Sequence, residues 1–301
     1  MPLPNDRRFR FGVVLHTAGS RREWREQCRK AEQIGFDTIS AIDHLGKPAP
    51  FPALMLAAEA TQRVRLGTYV LDATFHSPAL LVRDVATTDL LTDGRLELGL
   101  AAGRPSASPD KLREAGMPYP TPAERADGLE RTVAALRRLY ADPQIRPGPP
   151  ERPLPPLLLA GRGERVLRLA AREADIIGFN GTVAGPSGRV GLPAFAGTDA
   201  IARRVAFARA ALGDRITQVE FNHEAPAVVV TTARRQALDR LRTLAPSLTA
   251  EERGHVPGFL VGTPAQIAEQ IRRNRETFGF SYITVLDGGL DAMAPVIELL
   301  R

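Results

Sequence analysis

A strand-like run, "TISAI" (Thr38–Ile42), gives way to Asp43 and His44 and then to Leu45 and Gly46. A carboxylate beside an imidazole can hold a cofactor, exchange a proton or ligate a metal. The same pair can also mark nothing more than a buried strand reaching solvent. Three more histidines lie near the ends of apolar runs: His16 after "FGVVL", His76 after "RLGTYVLDATF", and His223 before or within a run near "APAVVVT". Several imidazoles gathered at one edge would favour a site over isolated structural residues. A second signal is "LLLAGRGERVLRLAAREAD", which passes from an apolar run through Gly161, Arg162 and Gly163 straight into helical spacing. Free N–H groups at a helix start, small residues and an arginine make a plausible anion cradle, although a Gly-rich turn is also ordinary punctuation.

Other chemistries fit less well. The first strand reads "VLHTA" without a His-x-His pair, and the chain has neither H-E-x-x-H nor a Cys/His cluster, so no metal is expected. A serine hydrolase would need a G-x-S-x-G elbow, and "GPSG" at 185–188 does not lie at a strand-to-helix turn. A phosphate-bearing cofactor is the other option, beside the purely structural turn.

The elements that must position these groups alternate in type. Short runs rich in Val, Ile and Leu occur at 11–16, 38–42, 65–70, 96–101, 156–161, 175–180, 225–231 and 282–286. Their lack of polar alternation predicts strands covered on both faces, as in a parallel sheet wrapped by helices. Between them lie helical patterns. Trp24, Cys28, Ala31 and Ile34 recur at helical intervals, which makes Cys28 a small core residue. Thr263, Pro264 and Gln266 form a capping-box signature for a helix that stops at Gly279. Eight strands with intervening helices predict an α/β fold, an eight-stranded β/α (TIM) barrel forming a single domain over 1–301. An open doubly wound sheet would alternate likewise, but no G-x-G-x-x-G follows the first strand. Gly/Pro-rich insertions follow the fourth and sixth strands (104–122 and 181–199) and read as lids or as neutral insertions. The proline-rich stretch 146–156 reads as a surface connector.

Composition narrows the partners. The 301 residues are 44% hydrophobic and 25% charged, with a formal charge of +6 and a single cysteine. The arginines are scattered beside acidic residues instead of forming a basic stripe, so no nucleic acid is expected. No run approaches the roughly 18–20 apolar residues that span a bilayer, and the N-terminus lacks a signal-like apolar region. A cytoplasmic protein without membrane partners is expected.

Several segments together resemble the bacterial-luciferase-like family of flavin and deazaflavin oxidoreductases. They are "AEQIGFDTISAIDHL" (31–45), "RVRLGTYVLDATFHSPALLVRDVATTDLLTDGRLELGLAAG" (63–103), "LLLAGRGERVLRLAAREADIIGFN" (157–180) and "VGTPAQIAEQIRRNRETFGFSYITVL" (261–286). The resemblance implies a β/α barrel, usually a homodimer, that uses coenzyme F420 or, alternatively, FMN. In the F420-dependent branch it implies hydride transfer to or from a small-molecule substrate, with His44 as proton or electrostatic partner and Asp43 contacting the cofactor. It further implies a cis peptide at Tyr69–Val70 behind the ring. Ala102 and Gly103 would approach the cofactor, and the phosphate would sit against Ala160, Gly161, Arg162 and Gly163, with Asn180 and Gly181 nearby. His16 and Arg104 fall on the substrate side. Arg104 stands where sugar-phosphate dehydrogenases of this branch carry an acid, and a guanidinium is a poor proton donor. An FMN-dependent monooxygenase and a non-catalytic cofactor-binding barrel are the alternatives.

Overall fold

The structure is a computed structural model and describes residues 7–17, 19–103, 109–117, 120–148, 152–183 and 194–301. Its strands are β1 (Arg10–Leu15), β2 (Thr38–Ala41), β3 (Arg65–Thr68), β4 (Leu71–Asp72), β5 (Leu96–Ala101), β6 (Leu157–Ala160), β7 (Ile176–Phe179), β8 (Thr182–Val183), β9 (Ala194–Phe195), β10 (Glu220–Ala225), β11 (Ala227–Val230), β12 (Phe259–Gly262) and β13 (Phe280–Leu286). Its helices are α1 (Arg21–Ile34), α2 (Pro50–Ala60), α3 (Pro78–Leu91), α4 (Pro109–Glu114), α5 (Pro122–Leu139), α6 (Glu164–Glu173), α7 (Thr198–Leu212), α8 (Arg234–Arg240), α9 (Ala250–His255), α10 (Pro264–Phe278) and α11 (Ala294–Leu300).

The parallel order β3-β2-β1-β13-β10-β7-β6-β5 closes on itself through β3–β5 pairing at Leu66↔Leu96 and Gly67↔Glu97, with β4 continuing the third strand beside β5. This is the closed eight-stranded β/α barrel that the sequence predicts. Every barrel strand runs the same way, so the residues just after the strands share one rim.

Local rules explain the elements. The Thr263 side chain accepts from the Gln266 N–H, the Gln266 side chain accepts from the Thr263 N–H, and Gly279 ends α10 at φ 80°. Trp24, Cys28 and Ala31 are buried on one face of α1. Burial pushes the Cys28 thiol up to about 12, so it is a packing residue and not a thiolate.

The barrel interior is polar at its base. Arg10 on β1 donates to Glu220 on β10 at 2.6 Å and to Glu97 on β5 at 2.7 Å, and its guanidinium lies 4.3 Å from the centre of the Tyr282 ring on β13. These strands are not all neighbours, so the side chains meet only by pointing inward. Burial alone would loosen the Arg10 proton, but the Glu97 and Glu220 carboxylates outweigh it and hold the proton more tightly than usual. Gly12 leaves the space that the Tyr282 ring fills, because a Cβ there would lie 3.0 Å from the ring. The apolar core lies outside, between strands and helices, where Phe11, Val13, Ile39, Leu98 and Leu100 pack with Leu54, Val85 and Leu136.

The sequence reading needs two corrections. The seventh barrel strand is Glu220–Ala225; most of the run at 225–231 forms β11, which pairs with β12 outside the barrel. Polar interior residues hide the true strand, because "EFNHEA" carries inward Glu220 and Asn222 where an apolar run would be sought. His223 lies within this strand, as the sequence reading allowed, and below the rim. It is buried, stacks on Phe280 at 4.7 Å and 12°, and its Nδ1 lies 3.1 Å from the Phe179 carbonyl oxygen. Finally, the 146–156 stretch is not wholly a surface crossing. Arg146 is buried beside the Tyr140 ring, and Arg152 pairs with Asp89 at 3.1 Å.

Burial lowers the His223 imidazole from its usual value to about 4. At pH above about 6.5 the imidazole is neutral in both the folded and the unfolded chain. Between about 6.5 and about 4 only the unfolded chain takes up the proton, so stability falls by about 3 kcal/mol as pH falls through that window. Urea unfolding on both sides of the window measures this loss, and His223→Leu should flatten it.

Candidate functional site

Alternation along the strands selects the side chains that reach the mouth. Glu97, Gly99 and Ala101 share one side of β5, and Glu220, Asn222 and Glu224 share one side of β10. Continuing the Arg10–Gly12 alternation of β1 places His16 at the same rim. The Tyr69 hydroxyl crosses the barrel to donate to Asn222 Oδ1 at 2.8 Å, while the Asn222 amide donates to Thr284 Oγ1 at 2.7 Å. Tyr69 and Val70 are half-buried and pack with Leu158, Ile176, Tyr282 and Ala160 inside the barrel. Burial first, and then the nearby Glu224 charge, push the Tyr69 phenol well above its usual range, so it acts as a neutral hydrogen-bond donor. The Tyr69–Val70 peptide bond is cis, as the family resemblance implies.

Beside it stands Asp43, held by the segment that follows the third strand. Asp43 Oδ2 accepts from His76 Nε2 at 2.8 Å and from the Asp72 N–H at 3.1 Å. His44 is exposed. Asp72 is itself a hub. Its Oδ1 accepts from Thr74 N–H and Oγ1 at 2.9 and 2.7 Å, and its carboxylate lies against Gly103. A Cβ on Gly103 would come within 2.1 Å of Asp72 Oδ1, and the residue has φ +79°. Asp43, the Tyr69–Val70 peptide and Gly103 are thus joined through the short segment from Asp72 to His76. On the neighbouring side of the rim, His16 Nδ1 lies 3.3 Å from Asp287 Oδ1, and Thr17 donates to the other Asp287 oxygen.

A second group lies around the β6–α6 turn. Gly163 caps α6 without a side-chain hydrogen bond, Arg162 and Gly163 are exposed, and Ala160 and Gly161 are half-buried. Arg204, half-buried on α7, donates to the Asn180 carbonyl at 3.1 Å. Burial, then the Arg162 and Arg203 charges, lower the Arg204 guanidinium from its usual value. Guanidinium groups crowding one another beside an uncapped helix start have the donors and the charge to bind a phosphate. The residues present therefore fit the anionic end of a phosphate-bearing cofactor. Asn180 Oδ1 accepts from Thr182 Oγ1 at 3.0 Å, and the buried Gly181 offers its carbonyl to Ala196. Ala102 and Gly103 follow β5 at the same rim. The expectations for Arg104 and for the loop at 184–193 lie outside the described residues. Among the described residues, no group of three or more His, Cys, Asp or Glu side chains could hold a metal ion.

A family description, luciferase-like monooxygenase, matches residues 8–281. The chain belongs to this family. An F420-dependent glucose-6-phosphate dehydrogenase from Intrasporangium calvum is 32% identical to this luciferase-like chain over 176 residues, 51% of the chain and 52% of the relative. A second such dehydrogenase, from Beutenbergia cavernae, is 32% identical over 172 residues, 48% of each. The chain thus spans about half the length of these relatives. An F420-dependent secondary alcohol dehydrogenase solved with an F420–acetone adduct shares the fold at a TM-score of 0.75 and 16% identity, over 98% of this chain and 100% of that one. An F420-dependent tetrahydromethanopterin reductase from Methanopyrus kandleri does so at 0.71 and 12%, over 98% and 100%. No helix among the described residues of this luciferase-like chain is long and apolar enough to cross a membrane.

Sequence reasoning missed His76 as Asp43's partner, as well as Asp72, Arg204 and Glu224. Glu224 could have been found by inward alternation once the seventh strand was placed at 220–225. Arg204 gives no local signal, because it comes from a helix that follows the sixth-strand insertion. Gly103→Ala should cost about 1–3 kcal/mol of stability, since it forces a side chain into left-handed backbone and into the Asp72 carboxylate. Denaturant unfolding measures that cost, and an unchanged midpoint would refute the constraint.

Proposed function

We propose that the chain is a coenzyme F420-dependent oxidoreductase that transfers a hydride between the deazaflavin and a small organic molecule. The observation that carries this reading is one barrel mouth lined at one side by the Asp43–Asp72–Gly103 group and Tyr69, and at another by the arginine-flanked start of α6. An elongated cofactor with an aromatic head and an anionic tail suits that layout. Membership of the luciferase-like monooxygenase family and likeness to F420-dependent dehydrogenases support it.

When bound, the deazaflavin supplies a two-electron hydride acceptor or donor. The chain's own residues supply the rest. Asp43, Tyr69, Val70, Ala102 and Gly103 would wall the ring, and Ala160 to Gly163 with Asn180, Gly181 and Arg204 would hold the phosphate end. His44 would exchange a proton with the reacting substrate or stabilise charge developing on it, while His16 and Arg104 would face the substrate. A cytoplasmic homodimer, with the whole chain acting as one domain, completes the reading; light scattering tests the dimer.

Fluorescence titration with F420 and with FMN decides the cofactor. Saturable binding of F420 in preference to FMN is expected, and binding of FMN alone would overturn the reading in favour of a flavin enzyme. Arg204→Ala should weaken F420 binding about ten- to a hundredfold through loss of a charge-assisted contact, less so at high salt. His44→Ala should leave the F420 dissociation constant within about threefold and lower kcat by roughly 10²–10⁴. A panel of small alcohols and sugar phosphates, followed by loss of deazaflavin absorbance, measures that effect.

A further inference from the structure

We propose that His76 is a positioning residue that sets the orientation of the Asp43 carboxylate at the barrel mouth, an inference that rests on the F420 reading for its binding readout. Both hydrogen bonds to Asp43 from this segment end on one oxygen, Oδ2: one from the Asp72 N–H at 3.1 Å and one from His76 Nε2 at 2.8 Å. A single backbone donor leaves a carboxylate free to swing about its Cβ–Cγ bond. A second donor from another direction fixes the plane and turns Oδ1 to a defined side.

The imidazole is placed for this by the chain on either side of it. Asp72 starts a 3-10 turn (Ala73–Phe75) by accepting from Thr74, and His76 follows in extended backbone at φ −121°. Ser77 then caps α3, with Pro78 at its first turn. The turn and the helix start therefore hold the backbone of residue 76 from both sides without using its side chain. Asp43 and His76 are both mostly buried, with side chains 14% and 21% exposed, so water competes weakly for their bond. Asp43 stands at the end of β2 and His76 at the end of the β4 segment. The imidazole thus couples the carboxylate to the same segment whose Asp72 packs against Gly103.

Geometry makes the test specific. A glutamine side-chain N–H reaches approximately the position of imidazole Nε2, whereas an asparagine N–H mimics Nδ1. His76→Gln should therefore keep F420 affinity within about threefold of the unaltered protein, while His76→Asn and His76→Leu should weaken it about ten- to thirtyfold. Each of the three should melt close to the unaltered protein. In the Asp43→Asn background, His76→Leu should add less than about threefold, because it acts through Asp43. Equal losses in His76→Gln and His76→Asn, or an additive double variant, would overturn the proposal.

Nitrogen-15 NMR of the cofactor-free protein keeps the two readings apart. A His76 Nε2–H resonance with the signature of a carboxylate hydrogen bond, lost in Asp43→Asn, supports the positioning role even if F420 fails to bind and the functional reading falls. Its absence in the unaltered protein overturns the positioning role whatever the cofactor proves to be.

Discussion

A guanidinium inside a barrel must be matched by negative charge wherever water is excluded, and Arg10 meets that demand with Glu97, Glu220 and the face of Tyr282. These partners come from β5, β10 and β13, so the contact ties together strands on different sides of the closed sheet. Breaking such a buried pair on one side strands a charge, typically at about 3–5 kcal/mol. The network therefore permits a single registry in which three acidic or aromatic groups meet one cation. Gly12 belongs to it, because the Tyr282 ring occupies the space its side chain would fill.

That registry places the mouth. With the base fixed, alternation carries the inward positions of each strand up to Ala101, Ala160, Asn180, Glu224 and His16 on a common rim. Tyr69 links strands across the interior: its hydroxyl bonds Asn222 and, through it, reaches Thr284. The rim is then trimmed locally. Asp72 organises its own turn, offers its N–H to Asp43 and presses its carboxylate on Gly103, so three strand ends share one residue. Specificity of geometry thus comes from polar contacts at the base and rim, while stability comes from the apolar layer between strands and helices.

Much of this was legible before any coordinate. Strands buried on both faces leave unbroken apolar runs, so seven of the barrel strands stand out as "FGVVL", "TISA" and their like. The exception is instructive. The seventh strand carries Glu220, Asn222 and Glu224 inward, and a search for apolar runs slides past it to "AVVV", which pairs instead with β12. His223 lies within that seventh strand, buried against Phe280. The strand-end position of Asp43 was visible in the letters, but nothing there named His76, 33 residues on, as its hydrogen-bond donor.

The sequence by itself determined the β/α alternation, the helix caps at Thr263 and Gly279, the burial of Cys28 and the strand-end location of Asp43. All of these depend on local periodicity or on contacts within a few residues. Only the tertiary structure decided that Asp43 bonds His76, that Asp72 fills the space above Gly103, and that Arg204 joins Arg162 beside α6. These pairings join groups about 30 to 40 residues apart across separate β/α units. Closure of the barrel is what brings them together.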